Sequence, residues 1–186
     1  MRLACHQPNF MPYGGFWEKA VSVDLFVLLG HCQFEKGKYQ NRFHIGADWF
    51  TMSVKHGMVP IREKVYANPA EDWVRICDRI GGDLIAQFTP HISPSLWDTN
   101  TSIILQAAKR IAPLTRWEPD FKTDQTGTGR IIEICRHFGA STYLAGSSGY
   151  DYMDIEQFRK AGISVEFQDA AKTDKRPMLE ILKHIK

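Results

Sequence analysis

The chain has 186 residues, 44% of them hydrophobic and 24% charged, with a net charge of +2 at pH 7. A chain of this size buries roughly 70% of its unfolded surface around one core, which predicts a single α/β domain over residues 1–186 and excludes a disordered chain. Four cysteines without a CxxC pair and the absence of a leader predict a reduced, cytoplasmic protein. The apolar runs are too short to span a membrane, and the balanced charge neither requires nor excludes nucleic acid.

The first third of the chain predicts a strand, a helix and a second strand, followed by a hairpin. The predicted elements are a strand over 2–5, a helix over 15–23, a strand over 24–29, and hairpin strands over 42–45 and 49–54. Strand, helix and strand at this spacing form a βαβ unit, which favours a parallel sheet.

The rest of the chain alternates helices with short strands. Apolar residues at helical spacing predict two amphipathic helices, one from 73 to 84 and one from 96 to 111. The later elements are a helix over 131–138, a strand over 142–145, a helix over 151–160, a strand over 164–167 and a helix over 178–185. This order predicts a three-layer α/β sandwich with a mainly parallel, Rossmann-like sheet, a β-hairpin insertion and flanking helices.

The stretch HQPNFMPYGGFWEK joins the first strand to the first helix, where parallel α/β sheets bind their ligands. Gly14 and Gly15 predict a close backbone approach to a ligand, with phosphate at the N-terminus of the helix. His6 and Gln7 leave the strand on opposite sides, so one of them faces the cleft. The alternative is a purely mechanical turn, but such a connection needs only about 2 to 6 residues and this one has nearly ten.

Two blocks of the sequence resemble the WbqC-like family. The first is HQPNFMPYGGFWEKAVSVDLFVLLGHCQFEKGKYQNRFHI, and the second is TGTGRIIEICRHFGASTYLAGSSGYDYMDIEQFRKAGISVEF. The resemblance extends over these matching positions: His6, Gln7, Pro8, Asn9, Pro12, Gly15, Lys19, Asp24, Gln33, Phe34, Lys36, Asn41, Arg42, Tyr143, Gly146, Tyr152 and Asp154. Members of this family occur among enzymes that build O-antigen and other modified sugars, and similar proteins occur in phages. The resemblance therefore implies a transferase acting on a phosphate-bearing or nucleotide-linked substrate.

Motif and resemblance together define a candidate site. His6 is the predicted general base, because the usual pKa of histidine lies near neutral pH, and Lys36 and Arg42 are the predicted phosphate-binding cations. The predicted substrate-binding residues are Gln7, Asn9, Tyr13, Gly14, Gly15, Lys19, Gln33, Asn41, Gly146, Ser147 and Tyr152. The alternative for the charged loop around Lys36 is a solvated surface.

One departure from the family pattern is Gly30-His31-Cys32, which stands where the family has an acidic pair and valine. It places Cys5-His6 and His31-Cys32 at the ends of neighbouring strands, an arrangement with the ligand types of a zinc site. Consecutive strand residues point to opposite faces, however, so the prediction is no metal and no cofactor. Cys32 as an activated nucleophile is the other alternative.

Two classes of function follow from these residues. The first is a transferase that attaches a small amino-acid, amine or acyl group to a phosphate-activated substrate. The acceptor is a nucleotide-linked sugar or a phosphorylated hydroxymethyl-pyrimidine in phage DNA, and residues 36–43 interleave bases with aromatic rings as single-strand and flipped-base binders do. The second is a non-catalytic accessory protein that binds a nucleotide or sugar phosphate. Neither class involves a membrane.

Overall fold

The computed structural model describes residues 1–185, which are built around a five-stranded parallel sheet. Its strands lie in the order β5-β2-β1-β6-β7, and every neighbouring pair is parallel. Their bounds are β1 (Arg2–His6), β2 (Leu25–Leu28), β5 (Arg116–Pro119), β6 (Thr142–Ala145) and β7 (Ser164–Phe167). A separate antiparallel hairpin is formed by β3 (Arg42–Ile45) and β4 (Asp48–Thr51). The mainly parallel sheet and the hairpin insertion are thus confirmed.

Helices cover both faces of the sheet. They are α1 (Gly14–Val21), α2 (Pro69–Ile80), α3 (Asp83–Ala86), α4 (Leu96–Ile111), α5 (Gly127–Phe138), α6 (Ile155–Lys160) and α7 (Met178–Lys183). Ala4 and Phe26 point into one apolar core with residues of α1, α4 and α7, whereas Leu3 and Leu25 point into a second core with residues of α5 and α6. Because side chains alternate along a strand, two cores on opposite faces give the predicted three-layer α/β sandwich.

Several element boundaries differ from the sequence predictions. The helix expected from 73 to 84 is divided into α2 and α3, because Gly81 and Gly82 both adopt positive φ angles that end the first helix. Helix α6 begins at Ile155 instead of 151, since residues 147–151 form a 3-10 turn. The predictions did not include β5, an edge strand whose sequence RWEP has two charged residues and ends in proline.

No helix within residues 1–185 combines the length and apolar character required to cross a membrane. The four cysteines are all unpaired.

Candidate functional site

A cleft of about 660 Å³ lies at the carboxyl ends of the strands. From β1 the sheet continues to β2 on one side and to β6 on the other, so the strand order reverses beside β1, where doubly wound sheets bind ligands. Nine of the sequence-predicted residues line this cleft: His6, Gln7, Asn9, Tyr13, Gly15, Lys19, Gly146, Ser147 and Tyr152. The structure therefore brings the end of β1, helix α1 and the loop after β6 together around one space.

Lys19 places a buried ammonium group in this cleft. Lys19 is only 4% exposed, and its Nζ donates a hydrogen bond of 3.3 Å to the carbonyl of Cys5 at the end of β1. Among residues 1–185, no carboxylate forms a salt bridge with it. Burial lowers the pKa of Lys19 from 10.5 to about 8, because the charged form is poorly solvated there. A buried cation without an anionic partner is suited to receive the anion of a ligand.

Gly146 leaves space beside this ammonium. A Cβ atom at that position would lie 3.9 Å from Nζ of Lys19 and 4.0 Å from Oε1 of Gln168. The amide of Gln168 in turn donates a hydrogen bond of 2.9 Å to the carbonyl of Gly15. The loop after β6 and the segment after β7 therefore complete the walls around Lys19.

His6 lies in the same cleft as a neutral imidazole. Its Nδ1 is 2.7 Å from the carbonyl oxygen of Gln7, so Nδ1 carries the proton and Nε2 is left as an acceptor. Burial and the charge of Lys19 lower the pKa of His6 from 6.5 to about 3. Without a bound anion, His6 can accept a hydrogen bond, but at pH 7 it does not retain a proton that it takes up.

The loop between β1 and α1 is itself part of the core. Asn100 of α4 donates hydrogen bonds of 2.7 Å to the carbonyls of Pro8 and Gln40, and the indole of Trp17 donates one of 3.1 Å to Pro12. The loop is longer than a simple connection because it crosses over α4 and the segment before β3. The middle of the loop therefore serves as a structural connection, whereas His6, Gln7 and Asn9 line the cleft.

Gly14 and Gly15 both lie against a later part of the chain. They were predicted to let a ligand approach, and Gly15 lines the cleft whereas Gly14 does not. A Cβ on Gly14 would lie 2.4 Å from Cγ of Asp174, and one on Gly15 would lie 2.4 Å from Cγ2 of Thr173. The amide of Gly14 also donates a hydrogen bond of 2.8 Å to the carbonyl of Arg176. The start of α1 is therefore covered by residues 173–176, and the open side of α1 is the one that carries Lys19.

A comparison with known protein families shows the family of this chain. The WbqC-like protein family matches residues 7–79 and 82–177, which include the elements that form the cleft except strand β1. The chain belongs to this family. An uncharacterized protein of Mycobacterium tuberculosis (strain ATCC 25618 / H37Rv), Rv1507c, is 23% identical over 193 residues, covering 90% of this chain and 82% of that protein. No solved structure gives a significant match.

Four residues of the WbqC-like pattern that were predicted to contact substrate lie outside the lining of the cleft. They are Gln33, Lys36, Asn41 and Arg42. Gln33 and Asn41 donate hydrogen bonds to the carbonyls of Val59 and Met52, at 3.0 and 2.7 Å. Arg42 donates to the carbonyl of Gly37, and its guanidinium lies 4.3 Å from the ring centre of Trp49. The structure therefore does not bring the cations of Lys36 and Arg42 together with His6.

Asp120 and Arg130 are site residues that the sequence analysis missed. The buried carboxylate of Asp120 follows β5 and accepts hydrogen bonds from the amides of Gly30 and His31, at 2.8 and 3.2 Å. It also accepts one of 2.9 Å from Nδ1 of His31 and forms an ion pair with Arg130, which lines the cleft. Because β5 was not predicted, nothing in the sequence indicated that a carboxylate lies beside Gly30-His31.

The two alternatives based on cysteine are not supported by the geometry. Within residues 1–185, no three His, Cys, Asp or Glu side chains are grouped so that they could hold a metal ion, so Cys5, His6, His31 and Cys32 do not form a four-ligand site. Burial raises the pKa of the Cys32 thiol above 9.0, which keeps it protonated and weakly nucleophilic at neutral pH.

Proposed function

We propose that this protein is a transferase that attaches a small amino-acid, amine or acyl group to a phosphate-activated substrate held in the cleft. The acceptor is a nucleotide-linked sugar or a phosphorylated hydroxymethyl-pyrimidine in DNA. The single observation that carries the proposal is the buried ammonium of Lys19, which has no carboxylate partner among residues 1–185 and lies where the strand order reverses. A phosphate at this position gains a desolvated cation, and such pairs are stronger than exposed ones.

The proposed roles differ from those expected from the sequence alone. Lys19 replaces Lys36 and Arg42 as the cation on the leaving phosphate. For an amine or amino-acid donor, the donor nitrogen forms a bond to the acceptor carbon, the bond from that carbon to oxygen breaks, and the phosphate leaves with the electron pair, stabilised by Lys19. The nitrogen gives its proton to Nε2 of His6, whose pKa rises when the phosphate offsets the charge of Lys19.

The mouth of the cleft favours an acceptor with a planar ring. Lys38 and Tyr39 line the cleft, and the ring of Tyr39 lies 5.8 Å from that of Tyr13 and 5.7 Å from that of Trp49. Tyr39 and Trp49 are both partly exposed, at 36% and 43%. Exposed aromatic rings beside cations are the usual stacking surface for nucleobases, in nucleotides as in single-stranded DNA.

A second candidate function is a non-catalytic nucleotide- or sugar-phosphate-binding protein. The low pKa of His6, about 3, favours this role because it makes His6 a weak base. Both candidates use the same cleft and the same Lys19. They differ in whether a bound phosphate compound is consumed.

Thermal unfolding in the presence of phosphate compounds tests the anion site. Inorganic phosphate, nucleotides and sugar nucleotides are each added to wild type, Lys19→Met and the exposed control Lys36→Met. A ligand at 100 times its Kd stabilises a protein by about 2.7 kcal/mol, and we expect this gain in wild type and Lys36→Met only. If no phosphate compound stabilises wild type, the proposal fails. Phosphorus NMR of a stabilising ligand with amines then separates transfer from binding alone.

The affinity for sulfate should fall as the pH rises above 8. Sulfate keeps a constant charge from pH 6 to 10, so only the protein titrates. Lys19 loses its proton with a pKa of about 8. Burial raises the pKa of Cys5 and that of Tyr143 well above their usual values of 9.0 and 10.0. His6 stays neutral throughout. Calorimetry at constant ionic strength should therefore show a Kd that rises roughly tenfold for each pH unit above 8. A Kd that is unchanged from pH 7 to 9.5 contradicts the assignment.

A further inference from the structure

A second cation faces the cleft from the opposite layer of the sandwich. Lys19 belongs to α1, which packs on one face of the sheet, and Arg130 belongs to the first turn of α5, which packs on the other. Gly127 and Thr128, the first two residues of α5, line the cleft next to Arg130. A basic side chain therefore borders the cleft on each side of the sheet edge, Lys19 without a carboxylate partner among residues 1–185 and Arg130 paired with Asp120.

The Arg130 side chain is nearly buried and held in place. It is 11% exposed, and its guanidinium is bound by the fully buried carboxylate of Asp120 and, at 3.3 Å, by the carbonyl of His31. Asp120 is itself fixed by the amides of Gly30 and His31, so the guanidinium cannot turn away. Nε of Arg130 is buried and has no hydrogen-bond partner among residues 1–185. An arginine ordered in this way loses little conformational entropy when it binds an oxyanion.

The N-terminus of α5, the helix that carries Arg130, adds to the positive electrostatic potential at this position. Thr126, at the N-terminal cap of α5, makes no capping hydrogen bond with its side chain, so the amides of the first turn remain available. These amides and the helix dipole favour a negative group at the place where Gly127 and Thr128 line the cleft. The arginine and the helix terminus therefore select the same kind of ligand group.

The two cations are bonded to different strands of the sheet. Lys19 is bonded at the end of β1, next to β6, whereas Arg130 is bonded to the segments that follow β2 and β5. Because neighbouring strands lie about 4.8 Å apart, these positions are separated by one to two strand spacings, roughly 5–10 Å. At its upper end this interval holds two oxyanion groups side by side.

We infer that Arg130 and the first turn of α5 form a second oxyanion subsite, so that the cleft holds two anionic groups at once, one at Lys19 and one at Arg130. This inference rests on the proposed function, since it takes Lys19 as the first subsite. The second group is a further phosphoryl group of the same substrate or the carboxylate of the other substrate. The phosphoryl group and the carboxylate both present negatively charged oxygen atoms, which a guanidinium recognises.

Calorimetry at pH 7 with phosphate, pyrophosphate and acetate tests the second subsite. The proteins are wild type, Arg130→Gln and Arg136→Gln, an exposed arginine of the same helix. For a second phosphoryl group, we expect pyrophosphate to bind wild type at least tenfold more tightly than phosphate, and Arg130→Gln to lose that difference while its phosphate affinity stays unchanged. For a carboxylate, acetate should bind wild type in the presence of one equivalent of phosphate, and it should not bind Arg130→Gln under the same conditions. Arg136→Gln should behave as wild type.

The failures of the two proposals are distinguishable. The comparison of pyrophosphate, phosphate and acetate in wild type needs no variant, so it decides even if Arg130→Gln does not fold. If phosphate binds, but pyrophosphate binds no more tightly than phosphate and acetate does not bind, the second subsite is wrong and the Lys19 site stands. If phosphate does not bind at all, both are wrong.

Discussion

Replacing Lys19 with methionine should make the protein more stable at pH 7 by about 2–3 kcal/mol while it abolishes phosphate binding at the Lys19 subsite. The pKa of Lys19 falls from 10.5 in the unfolded chain to about 8 in the folded protein, a difference that corresponds to about 3 kcal/mol. Methionine has a similar length and needs no solvation, so it relieves this cost. Urea unfolding of both proteins at pH 7 measures the gain.

The pH dependence of that gain identifies its source. A lowered lysine pKa means that the unfolded chain binds one more proton than the folded protein between pH 8 and 10.5. Wild type therefore becomes more stable relative to Lys19→Met as the pH rises through this window, and the difference is largest below pH 8. The control, Lys36→Met at an exposed position, should change the free energy of unfolding by less than about 0.5 kcal/mol at every pH. A destabilised Lys19→Met would show that the ammonium is a structural group.

Replacing Asp120 with alanine should destabilise the protein by about 3–5 kcal/mol. The substitution leaves the amides of Gly30 and His31 without their acceptor and the guanidinium of Arg130 without its counter-ion, all in a region where the carboxylate is fully buried. Urea unfolding monitored by circular dichroism measures this loss.

The matched control for this variant is Asp124→Ala, an exposed aspartate in the same loop. It should leave the free energy of unfolding within about 0.5 kcal/mol of wild type. Asp120→Asn keeps the shape and one acceptor oxygen, so it should lie between the two. A loss below about 1 kcal/mol in Asp120→Ala would mean that water replaces the carboxylate, and the ordered state of Arg130 would need another cause.

The sequence predicted the parts of the site that belong to strongly patterned elements. The apolar runs of β1 and β2 and the loop between them located His6, Gln7 and Lys19 at the carboxyl edge of a parallel sheet. The family resemblance added Gly146, whose strand lies beside β1 in the structure. These predictions succeeded because the position of a residue at a strand end follows from hydrophobic periodicity and connection rules.

The sequence did not predict the charge distribution of the site. Lys36 and Arg42 have the right chemistry for phosphate, but one-dimensional patterns do not show which way a loop residue points, and Arg42 stacks on Trp49. Lys19 was predicted to bind substrate, but its burial could not be predicted, because it depends on distant contacts with the ends of β1 and β6. Asp120 and Arg130 were missed because they follow an edge strand without an apolar pattern.

The cover that residues 173–176 place over the start of α1 has a consequence for how the protein is made. Gln168 reaches Gly15 across 153 positions of the chain, and the amide of Asp174 reaches Glu18 across 156. Both contacts form only after residues 168–174 have been synthesised. Helix α1 therefore waits for more than 150 later residues before the cleft beside it is complete.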